Sequence, residues 1–486
     1  MRPAVRLAAA AAAGALAVGG FAPFGVFALP VVALATLLWL VDTLSVRAAA
    51  LTGFAFGMGW FLAGVSWVNV SLSQFGGMPL PLSLLATVLF CAYLSLFPAA
   101  VCALMRALRP SVALTPWLFA ALWVSSEWLR GTLFTGFPWL ASGYAHATPS
   151  PLAGYVPLFG VHGAGFVAAL MSGLLALFVL RRIALRPVLL SLAALLVVGG
   201  LLGSVRWTEA TGRALTVSLL QGNIEQSMKW VPERLPDSMQ TYLDLARAWP
   251  ADLVVLPETA IPLPYAEIDP AWLAAVRATG RDVLMGAVTL GEVDGRARYF
   301  NSAVALGHDD ARYSKSHLVP FGEFTPPLFA WTLQLLSIPM SDFGRGAKVQ
   351  PPLALAGEKV AVNICYEDVF GEELIDAARD ATLLVNVSNT AWFGDSWAQP
   401  QHLQIAQIRA LELGRPMLRA TNTGMTAAIQ PDGRVVAALP AFTRAALRVE
   451  LQGYQGLTPF MRWGNVPVLL VALAVIIVAA VQRKRG

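Results

Sequence analysis

The chain has 486 residues, of which 57% are hydrophobic and 13% are charged, with a formal net charge of +5. A soluble protein carries about 25% charged residues, so the composition excludes an ordinary soluble protein and favours one with several membrane spans. Residues 1–204 hold only 11 charged side chains, and the positive charge comes from that part and from the C-terminal tail. A basic face on the remaining residues is not expected, so nucleic acid is excluded as a partner.

Eight apolar stretches are predicted to cross a membrane, because a spanning helix needs about 20 apolar residues. Seven of them precede residue 206, and the eighth follows residue 462. Pro-Phe-Gly at 23–25 and a Gly/Pro-rich stretch at 73–81 separate the first four. Residues 7–41 and residues 48–105 are each predicted to hold two spans. The other four spans are 110–126, the part of 131–180 after a loop that ends at about residue 154, 187–205 and 463–482.

The positions of Lys and Arg predict the orientation, because these residues accumulate in cytoplasmic loops. With the N-terminus inside, the inner segments carry 11 of them, and the short outer loops carry at most Arg130. A cleavable N-terminal signal peptide is the alternative, but its removal would break this charge pattern. The sequence thus predicts seven transmembrane helices in 1–205, a periplasmic domain in 206–462, and an eighth helix with a basic cytoplasmic tail in 463–486. Both termini are expected in the cytoplasm of a bacterium, with the chain in its inner membrane.

The segment after residue 205 alternates short apolar runs with longer mixed stretches, which predicts an α/β layered domain. In such domains reactive groups tend to lie where strands end. The predicted strands are 215–220, 253–256, 283–288, 303–306, 360–365 and 383–387, and the predicted helices are 234–249 and 399–414, the second opening after Pro400.

Three segments place a reactive side chain at such an end: Glu258 in Leu-Pro-Glu-Thr, Lys315 in Tyr-Ser-Lys-Ser-His, and Cys365 in Val-Asn-Ile-Cys-Tyr-Glu. A lone cysteine that closes an apolar strand is usually a packing residue, as we expect for Cys91 and Cys102. A thiol needs a base or a neighbouring cation to act as a nucleophile. Glu258 and Lys315 supply these groups, with Lys315 placed to stabilise an oxyanion. The three residues together therefore favour a catalytic role for Cys365.

These segments resemble the Glu–Lys–Cys motifs of the nitrilase superfamily. The lipoprotein N-acyltransferase branch of that superfamily has sequences similar to three further segments of this chain: 221–230, 409–416 and Gly-Phe-Pro-Trp-Leu at 136–140. The resemblance covers essentially the whole chain. It implies a nitrilase-like αββα sandwich beside a multi-span helical domain and no cofactor. It also implies transfer of an acyl chain from a phospholipid, through a thioester on Cys365, to the amine of a diacylglyceryl apolipoprotein.

The resemblance also implies supporting residues around the thiol. Glu323 and Glu367 are expected to steer Lys315 or assist proton transfer, with a structural ion pair as the alternative. The backbone N–H of Tyr366 is expected to share the oxyanion with Lys315. The histidines lack the paired spacing of a metal site, so no metal is expected. The candidate pocket residues, which could equally be core, are Asn301, Trp230, Asn389, Trp392, Phe393 and the side chain of Tyr366.

Two other functions remain open from the residues. A membrane-tethered nitrilase-type amidase would share the three catalytic residues and deliver the thioester to water. A transporter or receptor is suggested by Glu127 and Arg130, which lie on one helical face within a span. The stretch at 325–343, which is uncharged up to Asp342 and broken by prolines, is interpreted as an apolar arm that touches the membrane surface and covers the site, with a buried core helix as the alternative.

Overall fold

A computed structural model describes residues 1–227, 229, 231–293, 295–307, 311–325 and 342–485. The chain divides into two compact units. The first contains Met1–Asn69, Pro81–Arg206 and Arg462–Gly486. The second contains Trp207–Met461 and also Val70–Leu80, a short segment that we had assigned to the membrane part. The hypothesis about the apolar arm falls almost entirely on residues outside the described ones.

The first unit is helical. Among the described residues, six helices are long and apolar enough to cross a membrane. The two other predicted spans correspond to Ala28–Val41, with 14 residues, and Thr115–Arg130, with 16. The number of eight spans therefore stays a prediction. The six long helical segments are Pro3–Gly20, Val46–Val65, Leu80–Leu108, Pro151–Val179, Leu185–Gly203 and Val466–Lys484.

Small residues bring two of these helices together. A Cβ on Gly14 would lie 2.0 Å from the backbone oxygen of Phe56, and a Cβ on Gly59 would lie 1.9 Å from that of Ala11. Only glycine permits this separation, as is common where helices pack in membranes. The helices Pro3–Ala17 and Val46–Val65 therefore pack backbone against backbone.

Glu127 and Arg130 both anchor the loop that follows their helix. The Glu127 carboxylate accepts hydrogen bonds from the Ser142 backbone N–H at 2.7 Å, the Ser142 hydroxyl at 3.1 Å and the Trp123 indole at 2.9 Å. Arg130 donates to the carbonyl oxygens of Phe137 and Trp139. These contacts give both buried charges a structural role inside the first unit.

The second unit contains two six-stranded sheets that pack face to face. Each sheet has three parallel strands at its centre and antiparallel strands at its edges. The first sheet has the order β12-β1-β2-β3-β4-β5: β1 Thr208–Gln221, β2 Ala251–Leu256, β3 Gly280–Val293, β4 Arg296–Leu306, β5 Arg312–Ser314 and β12 Ala445–Gly456. The second has the order β11-β10-β9-β8-β7-β6: β6 Leu353–Leu355, β7 Glu358–Ile364, β8 Leu383–Ser388, β9 Met417–Thr421, β10 Ala427–Ile429 and β11 Val435–Ala438.

Helices cover the outer face of each sheet through apolar clusters. Leu235–Ala248 and Pro270–Arg277 bury Tyr242, Leu245, Trp272 and Val276 with residues of the first sheet. Ile375–Asp380 and Ala398–Leu413 do the same on the second sheet. The predicted αββα sandwich is therefore confirmed.

Two predicted boundaries are wrong for physical reasons. The helix Ala398–Leu413 begins before Pro400 rather than after it. Proline fits there because backbone N–H groups in the first turn have no partner within the helix. Strand β7 ends at Ile364, and Cys365 instead opens the short 3-10 helix Cys365–Val369 with a φ of 55°.

Candidate active site

Glu258 lies just after β2 and points into the space between the sheets. Its carboxylate accepts hydrogen bonds from the Asn301 side-chain amide and from the backbone N–H of Asn389, both at 2.7 Å. Gly286 on the adjacent strand permits this approach, because a Cβ there would lie 2.5 Å from the Cα of Glu258.

Lys315 follows β5 and is 1% exposed. Its Nζ donates to Glu323 at 2.9 Å and lies 3.7 Å from Oε1 of Glu258. Burial opposes its positive charge, but Glu323 and Glu258 outweigh burial and raise the pKa of Lys315 well above its usual value. The Asn301 amide also donates to Glu323 at 2.8 Å, so one amide and one ammonium hold the two carboxylates together.

Cys365 is 7% exposed at the end of β7. Burial, and next the charge of Glu258, raise the pKa of its thiol to about 12, while Lys315 and the Ser388 hydroxyl act in the opposite direction. The resting group is therefore a protonated thiol. A positive φ is rare for a residue with a side chain and persists only where the surroundings enforce it.

Glu367 lies two residues after Cys365 and is 2% exposed. It accepts hydrogen bonds from the backbone N–H groups of Ile364, Ser316 and His317, at 2.7, 2.7 and 3.0 Å. The hydroxyls of Ser316 and Tyr313 also donate to it. Burial raises the pKa of Glu367, although these donors oppose the rise. Glu367 thus ties the turn at Cys365 to the loop that carries Lys315.

Aromatic side chains surround that turn. The ring of Tyr366 packs edge-on against Phe370 at 5.2 Å, and His317 stacks on Phe370 at 3.7 Å. His317 also contacts Glu373 at 3.0 Å. These contacts give His317 a structural role on the outer side of the site.

The segment after β8 forms another side of the site. The Asn389 side chain donates to Gln226 at 2.8 Å and accepts from Asn422 at 3.1 Å. Trp392 and Phe393 are half-buried, and Trp230 lies outside the described residues. The carbonyl of Trp392 accepts a hydrogen bond from Ser71 at 2.7 Å, and its ring meets Phe75 edge-on at 5.8 Å. The Val70–Leu80 segment thus braces Trp392.

A second lysine, which was not among the predicted site residues, lies beside Glu258. Lys229 is 3% exposed, and its Nζ lies 3.3 Å from the backbone oxygen of Glu258. Burial lowers its pKa to about 8, although Glu258 opposes the shift. The sequence could have indicated Lys229 as a site residue, because it lies inside the 221–230 segment on which the family resemblance rests. Within the described ranges, no group of three or more His, Cys, Asp or Glu side chains could hold a metal ion.

The arrangement can perform acyl transfer through a covalent intermediate. A protonated thiol needs a proton acceptor during attack, and the buried carboxylate of Glu258 lies nearby. A fixed ammonium such as Lys315 stabilises the negative oxygen that develops on an attacked carbonyl. The same constellation performs the reverse proton transfers when a second nucleophile attacks the thioester.

Comparisons with known proteins agree with this chemistry. Residues 13–174 match the family described as the apolipoprotein N-acyltransferase N-terminal domain, and residues 216–458 match the carbon-nitrogen hydrolase family. The chain is 49% identical to an apolipoprotein N-acyltransferase of Nitrosomonas europaea, over 95% of this chain and 94% of that protein. It is 45% identical to one of Ralstonia nicotianae, over 98% and 93% of the two chains. One of Chromobacterium violaceum is 44% identical, over 100% and 96%.

These relatives cover the apolar helices and the hydrolase sandwich together, so the chain is a membrane protein with a carbon-nitrogen hydrolase unit. The chain belongs to the apolipoprotein N-acyltransferase family.

Proposed function

We propose that this chain transfers a fatty acyl group from a phospholipid, through a thioester on Cys365, to the N-terminal amine of a diacylglyceryl-cysteine apolipoprotein. The observation that carries the proposal is the contact of Glu258 and Lys315 beside a buried thiol, at 3.7 Å between Nζ and Oε1. The family relationship supports the identity of donor and acceptor.

In the first step, Sγ of Cys365 attacks the ester carbonyl of the donor while its proton moves to Glu258. Lys315 and the backbone N–H of Tyr366 hold the oxyanion. The carbon–oxygen bond to glycerol then breaks, and Glu258 returns the proton to the leaving alkoxide. The products are the thioester and a lysophospholipid.

In the second step, the amine of the acceptor attacks the thioester carbonyl. Glu258 removes a proton from the attacking amine, the carbon–sulfur bond breaks, and Glu258 passes that proton to the departing Sγ to restore the Cys365 thiol. Glu323 holds Lys315 in place, and Glu367 holds the two loops that carry Lys315 and Cys365. The pocket residues Asn301, Asn389, Trp392, Phe393 and Trp230 would bound the space for the substrates.

The amidase alternative uses the same thiol but delivers the acyl group to water. Intact mass measurement separates the two after the chain is incubated with phospholipid and no acceptor. The proposal predicts a fatty-acyl increment on Cys365 that persists until a diacylglyceryl-cysteine peptide is added. An increment that decays to free fatty acid without an amine would support the amidase.

The chain's own cysteines provide matched controls. Cys365→Ala should abolish both the increment and the transfer, and Cys365→Ser should also fail because a hydroxyl needs stronger base assistance. Cys91→Ala and Cys102→Ala should retain activity, since both side chains are buried in helices of the first unit. Transfer by Cys365→Ala would refute the mechanism.

We also propose that the chain lies in the bacterial inner membrane, with residues 206–462 on the periplasmic side and both termini in the cytoplasm. The distribution of arginines supports this orientation. Cysteines introduced at 183–185 should be protected from an impermeant thiol reagent in intact cells, and a cysteine near residue 294 should react. The opposite labelling pattern would reverse the topology.

A further inference from the structure

A buried group of charges lies directly behind the nucleophile turn. Asp368, three residues after Cys365, is 0% exposed. Its Oδ1 lies 2.6 Å from Nε2 of His402, and its Oδ2 accepts a hydrogen bond from Arg419. His402 comes from the helix Ala398–Leu413 and Arg419 from β9, and each is 1% exposed. We call these three residues the Asp368 cluster.

The ionisation of the cluster follows from its contacts. Burial would raise the pKa of Asp368, but His402 and Arg419 outweigh burial and lower it. Burial lowers the pKa of His402, and although Asp368 opposes this, Arg419 acts in the same direction as burial and the net shift is downward. The histidine is therefore neutral near neutral pH and donates its Nε2 proton to an ionised Asp368. A buried carboxylate held in this way fixes its own backbone, because losing either donor would leave an uncompensated charge.

The cluster complements Glu367 on the other side of the same turn. Cys365 to Val369 forms one short 3-10 helix. Glu367 is bound by donors from the Lys315 loop, and the neighbouring Asp368 is bound by donors from a helix and a strand of the second sheet. Two consecutive carboxylates thus hold the turn from two directions. Such opposed restraint is what a positive φ at Cys365 requires.

We propose that Asp368, His402 and Arg419 are positioning residues that keep the Cys365 thiol directed at the carbonyl under attack. They touch neither substrate nor the reacting atoms, and they act through the backbone of the turn. The inference rests on the proposed function, because the aim of the thiol matters for thioester formation. A misplacement of about 1 Å can slow a reaction by roughly 100-fold.

The test measures the rate constant of Cys365 acylation in a single turnover with p-nitrophenyl butyrate. The burst amplitude counts the folded molecules, and the rate constant reports how well the thiol is aimed in each of them. His402→Leu removes the donor to Asp368 without changing the net charge, and it should lower the rate constant by roughly 10- to 100-fold. His402→Gln can place an amide N–H near the position of Nε2 and should recover most of the rate constant.

Val276→Ala is the matched control, since Val276 is fully buried in the first sheet's apolar cluster, which contains neither Cys365 nor the Asp368 cluster. It should lower the melting temperature and leave the rate constant unchanged. If His402→Leu lowers only the melting temperature or the amplitude, the cluster is merely structural and the proposal fails. If His402→Leu yields no folded protein, Arg419→Met, which removes the other donor to Asp368, takes its place: a wild-type rate constant overturns the proposal, and a fall of tenfold or more supports it.

Failure of the proposed function would look different. In that case the wild-type chain itself would show no burst with the ester and no fatty-acyl increment from phospholipid. A wild-type burst with an unchanged His402→Leu rate constant would remove only the positioning role.

Discussion

Glu258→Gln should slow acyl transfer by Cys365 and, at the same time, speed alkylation of its thiol. The thiol pKa is raised from 9.0 to about 12 by burial and then by Glu258. At pH 8 the thiolate fraction is therefore roughly one in 10,000, about a thousandfold below that of an ordinary cysteine with the starting value. The enzyme reaction avoids this limit because Glu258 takes the proton during attack.

The substitution removes both the proton acceptor and one cause of the raised pKa. A charge within about 4–6 Å shifts a pKa by about 1–3 pH units. Loss of the Glu258 charge should therefore lower the thiol pKa by that amount, and Lys315 continues to act in the same direction. Alkylation of Cys365 by iodoacetamide, which needs only the thiolate, should accelerate by about tenfold or more at pH 8. Acyl transfer should fall by about 10²- to 10⁴-fold, the usual contribution of a general base.

The assay follows alkylation of the Cys365 peptide by mass spectrometry, from pH 6 to 10, in wild type and variant. Asp376→Asn, which removes an exposed carboxylate of the same unit, serves as the control and should leave both rates unchanged. Slower alkylation in Glu258→Gln would refute the electrostatic reasoning. Retained acyl transfer would refute the assignment of Glu258 as the base.

Three further predictions concern the supports of the site. Lys315→Met should abolish acylation and lower the melting temperature, since breaking a buried ion pair costs about 3–5 kcal/mol. Adding Glu323→Gln to Lys315→Met should recover part of the stability but no activity. A double variant that melts below Lys315→Met would contradict the role of the ion pair. Glu367→Gln should lower the rate constant of acylation in a single-turnover assay, because an amide cannot accept all the bonds now made to the carboxylate; an unchanged rate constant would count against its role. Phe75→Ala should raise the Michaelis constant for phospholipid more than it changes the turnover number, because Trp392 loses an edge-on contact worth about 0.5–1.5 kcal/mol; steady-state kinetics in mixed micelles would show whether it does.

The sequence predicted the layered fold because its parallel strands are nearly continuous apolar runs. Strands β2 and β8 are buried along most or all of their length. For the same reason the segments with Glu258 and Cys365 could be placed at strand ends. The Ala445–Gly456 strand was not predicted, although Leu447, Val449 and Leu451 alternate with polar residues in the pattern of a half-buried strand.

Local sequence patterns could not predict contacts between distant segments of the chain. Ser71 and Trp392 are 321 positions apart, and nothing near either residue indicates that they meet. Nothing in the sequence indicated a role for Asp368, since its partners lie 34 and 51 positions away. Periodicity reports which face of an element is buried, but not which charged partner it meets there.

The pairing of the first and last strands of the second unit has a consequence for its biosynthesis. Strand β1 pairs with β12 from Thr208 opposite Gly456 to Gln221 opposite Ala445. At translation rates of about 5–20 residues per second, β12 emerges roughly 10–45 s after β1. For that interval β1 has an unpaired edge, and unpaired edges invite aggregation. The nascent chain therefore has to be protected until nearly its whole length has been made.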